Sequence, residues 1–172
     1  MDKGLWSILL KESTRKSIFL FVVAFIVVGI ITAKVMAKSQ DEQFYYEDYL
    51  YSQAYELYAN QNFLEAEPTI NELLSLKPNS ESVNYLAAMI EANNANYGKS
   101  AILFQKTMDI NAYKSEDPSF MIQFGEVLFY AERYADAKVV LERCRDMGWT
   151  LEAVPNYQER ISELLTQIEN IQ

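Results

Sequence analysis

The sequence predicts an all-α protein in which a single N-terminal membrane-spanning helix precedes a stack of helical hairpins and a closing helix. Residues 17–33 form a run of 17 residues without a charge. After it, apolar and small residues recur at spacings of three and four, and the whole pattern returns about every 34 residues. The 172 residues include only five Gly and four Pro, which favours helices over a turn-rich β fold.

The first 46 residues are predicted to divide into three segments. Residues 17–37 are expected to form the transmembrane helix, because 21 residues rise about 31 Å, close to the hydrocarbon thickness of a bilayer. The alternative is a cleaved signal peptide, since residues 35–37 resemble a small-residue cleavage site. Residues 1–16 are either an interfacial helix or a tail. Residues 38–46 are a linker that either continues the membrane helix or begins a new helix capped by Ser39.

Charge is unevenly distributed along the chain. Residues 1–38 carry a net charge of +4 and the remainder −13, which gives the formal total of −9. Four basic residues precede the apolar run and two follow it. The positive-inside rule therefore predicts a single-pass protein of the cell (inner) membrane, with a cytoplasmic N-terminus and the following domain on the periplasmic or extracytoplasmic side. Because that domain is acidic, it would repel phosphates, and nucleic acid is not an expected partner.

Residues 47–80 read as two amphipathic helices joined by a polar turn. Small residues at Ala54 and Ala66 allow the two helix axes to approach closely, and Phe63 stands where the turn enters the second helix. Pro78 ends the second helix because it has no N–H to continue the ladder. The remaining apolar positions expected in the packing between the two helices are Leu57, Ile70, Leu73 and Leu76.

The same pattern returns after 34 residues and again after a further 37. Ala54 then corresponds to Ala88 and Gly125. The other packing positions are equivalent in the same way: Tyr97 and Tyr134 correspond to Phe63, Ser100 and Ala137 to Ala66, Phe104 and Leu141 to Ile70, Thr107 and Cys144 to Leu73, and Ile110 and Met147 to Leu76. A helical hairpin with this period resembles the tetratricopeptide repeat. Residues 47–152 are thus similar to three such repeats, at 47–80, 81–114 and 118–151. The alternative is an irregular helical bundle with coincidental spacing.

The resemblance implies an α-solenoid that acts as a protein–protein interaction module. The second repeat departs from the family pattern at Glu91, Thr107 and Ala112. Residues 153–172 contain another amphipathic helix, and because a repeat array needs its last exposed face covered, we expect this helix to be the cap. A free partner-binding helix is the alternative.

In such a solenoid the first helix of each hairpin lines the concave surface. We therefore expect a trough, to which partner-binding residues are assigned: Tyr51, Tyr55, Tyr58, Tyr85, Met89, Ile122, Glu126, Phe129 and Tyr130. The trough lacks the Lys, Arg and Asn with which some family members grip acidic chaperone tails, so the resemblance does not extend to that function. Tyr and Met suit peptide contacts. The alternative is a trough filled from within, by Tyr45, Tyr46 and Tyr49 or by the C-terminal helix.

The composition argues against catalysis. The chain has no His and a single Cys, which removes most zinc, haem and iron–sulfur sites and any intramolecular disulfide. We expect Cys144 to be a small buried apolar residue. No nucleophile elbow or phosphate-binding Gly loop occurs, so the sequence predicts no enzyme, no cofactor and no metal.

The sequence predicts a tethered interaction module whose expected partners are membrane proteins and which contacts lipid through residues 17–37. Two functions follow. The first is an accessory subunit or assembly factor of a larger membrane complex. The alternative is a chaperone-like secretion or folding accessory that binds non-native segments at the membrane. A soluble periplasmic binder released by signal-peptide cleavage is a third class.

Overall fold

The computed structural model describes residues 12–151 and 154–171, and those residues are almost entirely helical. The α-helices are α1 (Glu12–Ala59), α2 (Phe63–Leu76), α3 (Glu81–Asn93), α4 (Tyr97–Ile110), α5 (Pro118–Tyr130), α6 (Tyr134–Asp146) and α7 (Tyr157–Ile171), with a 3-10 helix at Ala112–Glu116 between α4 and α5. Leu151 and Val154 form an isolated bridge, and no strand occurs among the described residues. The predicted all-α class is confirmed.

The chain divides into two units, Met1–Tyr46 and Glu47–Gln172. Helix α1 contributes to both, because it continues without a break through residues 38–46. The linker therefore continues the N-terminal helix, and Ser39 does not cap a new one. Residues 1–11, which make up most of the predicted interfacial segment, lie outside the described residues.

One described helix is long and apolar enough to cross a membrane, judged by length and composition. It covers Thr14–Ala59, and none of its most apolar window is buried in the structure. A core helix of a soluble protein would be mostly buried, which this one is not. A signal sequence near the N-terminus meets the same criterion, so the anchor and the cleaved signal are still alternatives at this point.

The three hairpins share one turn conformation. One residue in the turn of each hairpin has a left-handed backbone, with φ of 61° at Gln61, 60° at Ala95 and 60° at Glu132. The next amide donates to the carbonyl five residues back, and these equivalent bonds are Asn62 N to Leu57 O (2.8 Å), Asn96 N to Glu91 O (2.9 Å) and Arg133 N to Leu128 O (2.9 Å). The turns recur at the spacing predicted from the side chains, so the backbone repeats as well as the sequence pattern.

Small residues stand where the two helices of each hairpin approach most closely. Ala54, Ala88 and Gly125 are all buried. A Cβ atom on Gly125 would lie 2.6 Å from Cδ2 of Leu141, which is too close for a real contact. In the second hairpin, Ser100 donates its hydroxyl to the carbonyl of Ala88 at 2.7 Å. The predicted role of the small residues is confirmed.

The predicted packing stripe is wrong at its C-terminal end. Leu76, Ile110 and Met147 are exposed, whereas the residues three positions earlier, including Leu73 and Cys144, are buried. Leu76 and Ile110 are the last residues of their helices and Met147 lies just beyond α6. The stripe therefore ends one turn earlier than the spacing alone suggests.

A cluster of aromatic rings joins the second and third repeats. Phe104 of α4 stacks on Phe124 of α5 with ring centroids 5.6 Å apart, and contacts Phe120 at 5.2 Å. Tyr85 of α3 packs against Phe120 at 5.5 Å. Phe120 and Phe124 were not among the residues singled out in the sequence, because they pack between hairpins rather than within one.

Helix α7 occupies the place of the first helix of a fourth repeat. Its buried residues repeat those of α5 at the same 37-residue offset that relates the second and third repeats: Tyr157 follows Phe120, Ile161 follows Phe124, and Leu165 follows Leu128. The Tyr157 hydroxyl donates to the carbonyl of Pro118 at 3.0 Å. The position of Gly125, which contacts the second helix of its hairpin, is taken by exposed Ser162. The packing thus fits the predicted cap, with a polar face where a second helix would otherwise lie.

Candidate partner-binding clefts

The first helices of the hairpins, α1, α3 and α5, line two neighbouring clefts. The first has a volume of about 260 Å³ and is formed by α1, α3 and one residue of α5. Its lining contains five of the nine residues predicted for the trough, together with four that were not predicted: Tyr51, Tyr55, Tyr58, Tyr85 and Met89, with Glu81, Ser82, Leu86 and Gln123. The structure therefore brings the aromatic residues of the first two repeats into one cleft.

The second cleft lies between α3, α4 and α5 and has a volume of about 180 Å³. It shares Met89 and Gln123 with the first cleft, so that these two side chains stand between them. The full lining is Met89, Ala92, Asn93, Tyr97, Phe104, Gln123, Glu126, Val127 and Tyr130. Glu126 and Tyr130, both predicted, belong to this cleft rather than to the first.

Two predicted trough residues line neither cleft. Ile122 is buried in the core. Phe129 packs on Tyr134 at the start of α6, with ring centroids 5.6 Å apart. Tyr58 makes the matching contact with Phe63 at 5.7 Å in the first repeat. The position shared by Tyr58 and Phe129 therefore also closes the turn of its hairpin, which the prediction of a free concave surface did not include.

Tyr55 is the most available aromatic side chain of the first cleft. It is 55 % exposed, whereas Tyr51, Tyr58 and Tyr85 are partly buried and pack against the core cluster. Tyr49, which was considered as a residue that might fill the trough from within, is exposed. The cleft wall around Tyr55 is consequently open to solvent in the described structure.

Tyr85 has a structural role that its sequence position did not show. Its hydroxyl donates to Oε1 of Gln123 at 2.7 Å, and Nζ of Lys114 lies 5.1 Å from the ring centroid. Burial, and then the charge of Asp117, raises the pKa of this hydroxyl to about 12. Burial likewise raises the pKa of Tyr51 and of Tyr58. These hydroxyls are therefore neutral at physiological pH and offer hydrogen bonds rather than charge.

The carboxylate in the second cleft is paired by the closing helix. Nε of Arg160 in α7 donates to Oε1 of Glu126 at 2.7 Å, and Nη2 donates to the Tyr130 hydroxyl at 3.1 Å. The Tyr130 ring stacks on Tyr97 with centroids 5.1 Å apart. The hydrogen bond that Arg160 donates to Glu126 is the largest cause that raises the pKa of its guanidinium. The C-terminal helix thus borders the second cleft without filling the first.

Glu91, the departure from the repeat pattern in α3, is completely buried and is nevertheless satisfied. Nζ of Lys99 lies 2.5 Å from one carboxylate oxygen, and the side-chain amide of Asn96 donates to the other at 2.9 Å. Lys99 also donates to Oδ1 of Asn71 in the first repeat at 3.0 Å. The residue that looked like a packing defect in the sequence therefore joins neighbouring hairpins through a polar network.

Nothing in the described part of the chain forms a metal site. No group of three or more His, Cys, Asp or Glu side chains is placed to hold an ion among those residues. Cys144 is buried, as predicted, and burial raises the pKa of its thiol. A neutral, enclosed thiol is not an activated nucleophile.

Helical hairpins of about 34 residues, joined by equivalent turns and stacked with a closing helix, define a tetratricopeptide-like helical repeat fold. Solved structures support this class. The chain is similar to SycD, the type III secretion translocator chaperone of Yersinia enterocolitica, with a TM-score of 0.57 and 16 % identity over 72 % of this chain and 83 % of that one.

The complex of SycD with a peptide of the translocator YopD is matched equally well, at a TM-score of 0.57 and 16 % identity over 72 % of this chain and 92 % of that chain. An alternative SycD dimer gives a TM-score of 0.56 over the same shares, again at 16 % identity. No protein-family model and no curated protein matches the sequence. At this identity the likeness shows the fold and not the function.

Proposed function

We propose that this protein is a chaperone-like binder that holds an apolar segment of a client protein in its two concave clefts. The observation that carries the proposal is the first cleft, where Tyr55 and the partly buried Tyr51, Tyr58 and Met89 lie on a wall formed by α1 and α3. Exposed apolar patches on concave surfaces mark binding sites more often than scattered exposed residues do. The repeats supply the rigid backbone, and the tyrosines supply contact area with few rotatable bonds.

The structural neighbours support this proposal over a purely architectural role. SycD is a translocator chaperone, and one of its structures contains a peptide of its translocator. We propose the same class of task here, namely the holding of an unfolded or partly folded protein segment, without carrying over the identity of the client.

The second candidate is an accessory subunit or assembly factor of a membrane complex, with the chain anchored through residues 17–37. The observation that favours it is the apolar, unburied stretch within Thr14–Ala59. In this proposal the N-terminus is cytoplasmic and the repeats are extracytoplasmic, where they meet the soluble parts of membrane partners. The two candidates differ in the number of partners. A chaperone binds many clients in turn, and a subunit binds one partner in fixed stoichiometry.

Site-specific photocrosslinking in living cells tests the proposal. A benzoylphenylalanine at position 55 places the crosslinker in the first cleft, and the same group at position 139 is the matched control, because Val139 is 68 % exposed and lines neither cleft. A chaperone predicts a set of different crosslinked proteins at position 55 only. One dominant partner at position 55 favours the subunit. Equal crosslinking at both positions would exclude a cleft-based function.

A substitution gives the energetic test. Tyr55→Ala removes the exposed ring, and Tyr113→Ala is the control, because Tyr113 is 80 % exposed and outside both clefts. If Tyr55 is a contact hot spot, its loss weakens client binding by about 1–2 kcal/mol, or roughly five- to thirtyfold. Since both rings are exposed, the thermal stability of both variants is expected to match the parent. The Tyr85→Ala variant is unsuitable for this purpose, because that ring packs between repeats.

A further inference from the structure

The second cleft contains a carboxylate whose charge is cancelled by a residue from another helix. We infer that the Glu126–Arg160 ion pair sets the ligand class of this cleft, so that it takes an uncharged, apolar side chain of the client and rejects a basic one. The inference rests on the proposed function, because it specifies what the same clefts bind. Glu126 is the one acidic residue among those predicted for the trough, and Arg160 pairs with it.

The geometry of the pair is well defined. Besides the 2.7 Å bond to Glu126 and the 3.1 Å bond to the Tyr130 hydroxyl, Nη1 of Arg160 lies 3.6 Å from Oε2 of Glu163. The side chains of Arg160 and Glu126 are 33 % and 31 % exposed, whereas that of Glu163 is 55 % exposed. Arg160 is therefore fixed mainly by two groups of the cleft wall, and Glu163 only adds charge on the solvent side.

The rest of the second cleft is uncharged. Met89, Ala92, Phe104, Val127 and the ring of Tyr97 make it largely apolar, and its further polar groups are the side-chain amides of Asn93 and Gln123 and the hydroxyls of Tyr97 and Tyr130. When the ion pair is formed, the charge of Arg160 balances that of Glu126, so the cleft lining together with Arg160 carries no net charge. An apolar side chain can enter this space without separating charges.

A basic side chain meets a different situation. The carboxylate that would receive it already binds a guanidinium, so a lysine or arginine of the client would either displace Arg160 or lie beside it. Displacement breaks hydrogen bonds to Glu126 and Tyr130, and co-existence places two like charges together. Arg160 therefore acts as a specificity determinant that excludes cations, and it does so through Glu126 rather than by touching the client.

Peptide selection on the full-length protein in nanodiscs tests this inference. The probe is a phage-displayed library of random dodecapeptides, panned on the parent, R160Q, the double variant E126Q/R160Q, and Y55A. The parent is expected to enrich apolar and aromatic residues over Lys and Arg. R160Q exposes the unpaired carboxylate, and the share of Lys and Arg should rise roughly two- to fivefold, the factor that a partly exposed ion pair contributes. The double variant removes that carboxylate and should return to the parent profile.

R160K provides the structural control, because it keeps the positive charge while losing the planar guanidinium. It should select as the parent does, and circular dichroism of all variants checks that α7 is still folded. The inference is overturned if R160Q and the parent select the same peptides, or if the parent already enriches Lys and Arg. It is also overturned if the parent enriches Asp and Glu and R160Q does not, since Arg160 would then bind client carboxylates directly. Absence of any Tyr55-dependent enrichment would instead refute the proposed function itself.

Discussion

Replacement of Gly125 by alanine is expected to destabilise the stack, although alanine is the better helix former. Gly125 lies in the middle of α5, where its α-hydrogens face Leu141 of α6. An added Cβ would be 2.6 Å from Cδ2 and 3.0 Å from Cγ of Leu141, and 3.5 Å from Cγ1 of Val140. Leu141 is completely buried, so it can move away only by displacing other core side chains.

The magnitude follows from two opposing terms. Gly→Ala in a helix interior contributes about 0.5–1 kcal/mol of stability through the unfolded chain. Overpacking of a filled core costs about 1–3 kcal/mol. Gly98, the second residue of α4, is the comparison without a clash, because a Cβ there would have no atom within 4 Å. The difference between Gly98→Ala and Gly125→Ala is therefore dominated by the steric term, about 1–3 kcal/mol.

Urea unfolding of the full-length chain in mild detergent, followed by far-UV circular dichroism, measures both variants. We expect Gly98→Ala to raise the unfolding midpoint and Gly125→Ala to lower it, without a change of slope. If both substitutions raised the midpoint equally, the close approach of α5 and α6 would not limit the size of the residue at position 125. The argument from small residues at this repeat position would then be refuted.

Four further outcomes are expected. Lys99→Met should lower the free energy of unfolding by about 1–3 kcal/mol, because it leaves the buried Glu91 carboxylate without its cation, whereas Glu91→Leu should be neutral or stabilising; equal losses in urea unfolding would contradict this. Ala95→Gly should stabilise the chain by about 0.5–1 kcal/mol in the same assay, since φ is 60° there. The buried, neutral hydroxyl of Tyr85 has a pKa raised to about 12, so its contribution to the free energy of unfolding is complete below pH of about 10 and is lost as the pH rises towards 12. Tyr85→Phe should therefore remove this part of the loss of stability at alkaline pH. If residues 17–37 anchor the chain, alkaline carbonate should leave it in the membrane fraction, and recovery of a shortened soluble form would identify a signal peptide.

Much of the helical architecture could be predicted because it depends on local spacing. Ala54, Ala88 and Gly125 recur at the period of the hairpin, and a small residue at a helix crossing has a direct steric reason. The same reasoning located Cys144 in the core. It extended the packing stripe one turn too far, to Leu76, because periodicity does not show where a helix ends, and Leu76 is the last residue of α2.

The composition of the clefts was predictable only in part. Tyr55 and Met89 were assigned to the trough because the first helix of each repeat was expected to line it, and the structure places both in the first cleft. The pairing of Glu126 with Arg160 joins residues on different helices, and no local pattern specifies such a contact. Tyr85 was assigned to a free surface because its partners, Phe120 above all, belong to the next repeat. Packing between repeats depends on the angle at which hairpins stack, which one-dimensional spacing does not contain.

The exposed hydroxyls of α7 also affect whether other copies of the chain can add to the stack. A stack of equivalent hairpins has no intrinsic length, because each unit presents at its end a surface on which another can form. At Ser162 and Thr166 that surface carries hydroxyls bonded to carbonyls of their own helix, at 2.8 Å in each case, instead of the glycine and phenylalanine of the preceding repeat. Apolar residues at these two positions would form an exposed surface on which another copy of the chain could pack. Head-to-tail contacts of that kind do not close into a ring and therefore grow into filaments. Two hydroxyl side chains thus make the outer face of α7 a poor surface for the addition of another copy.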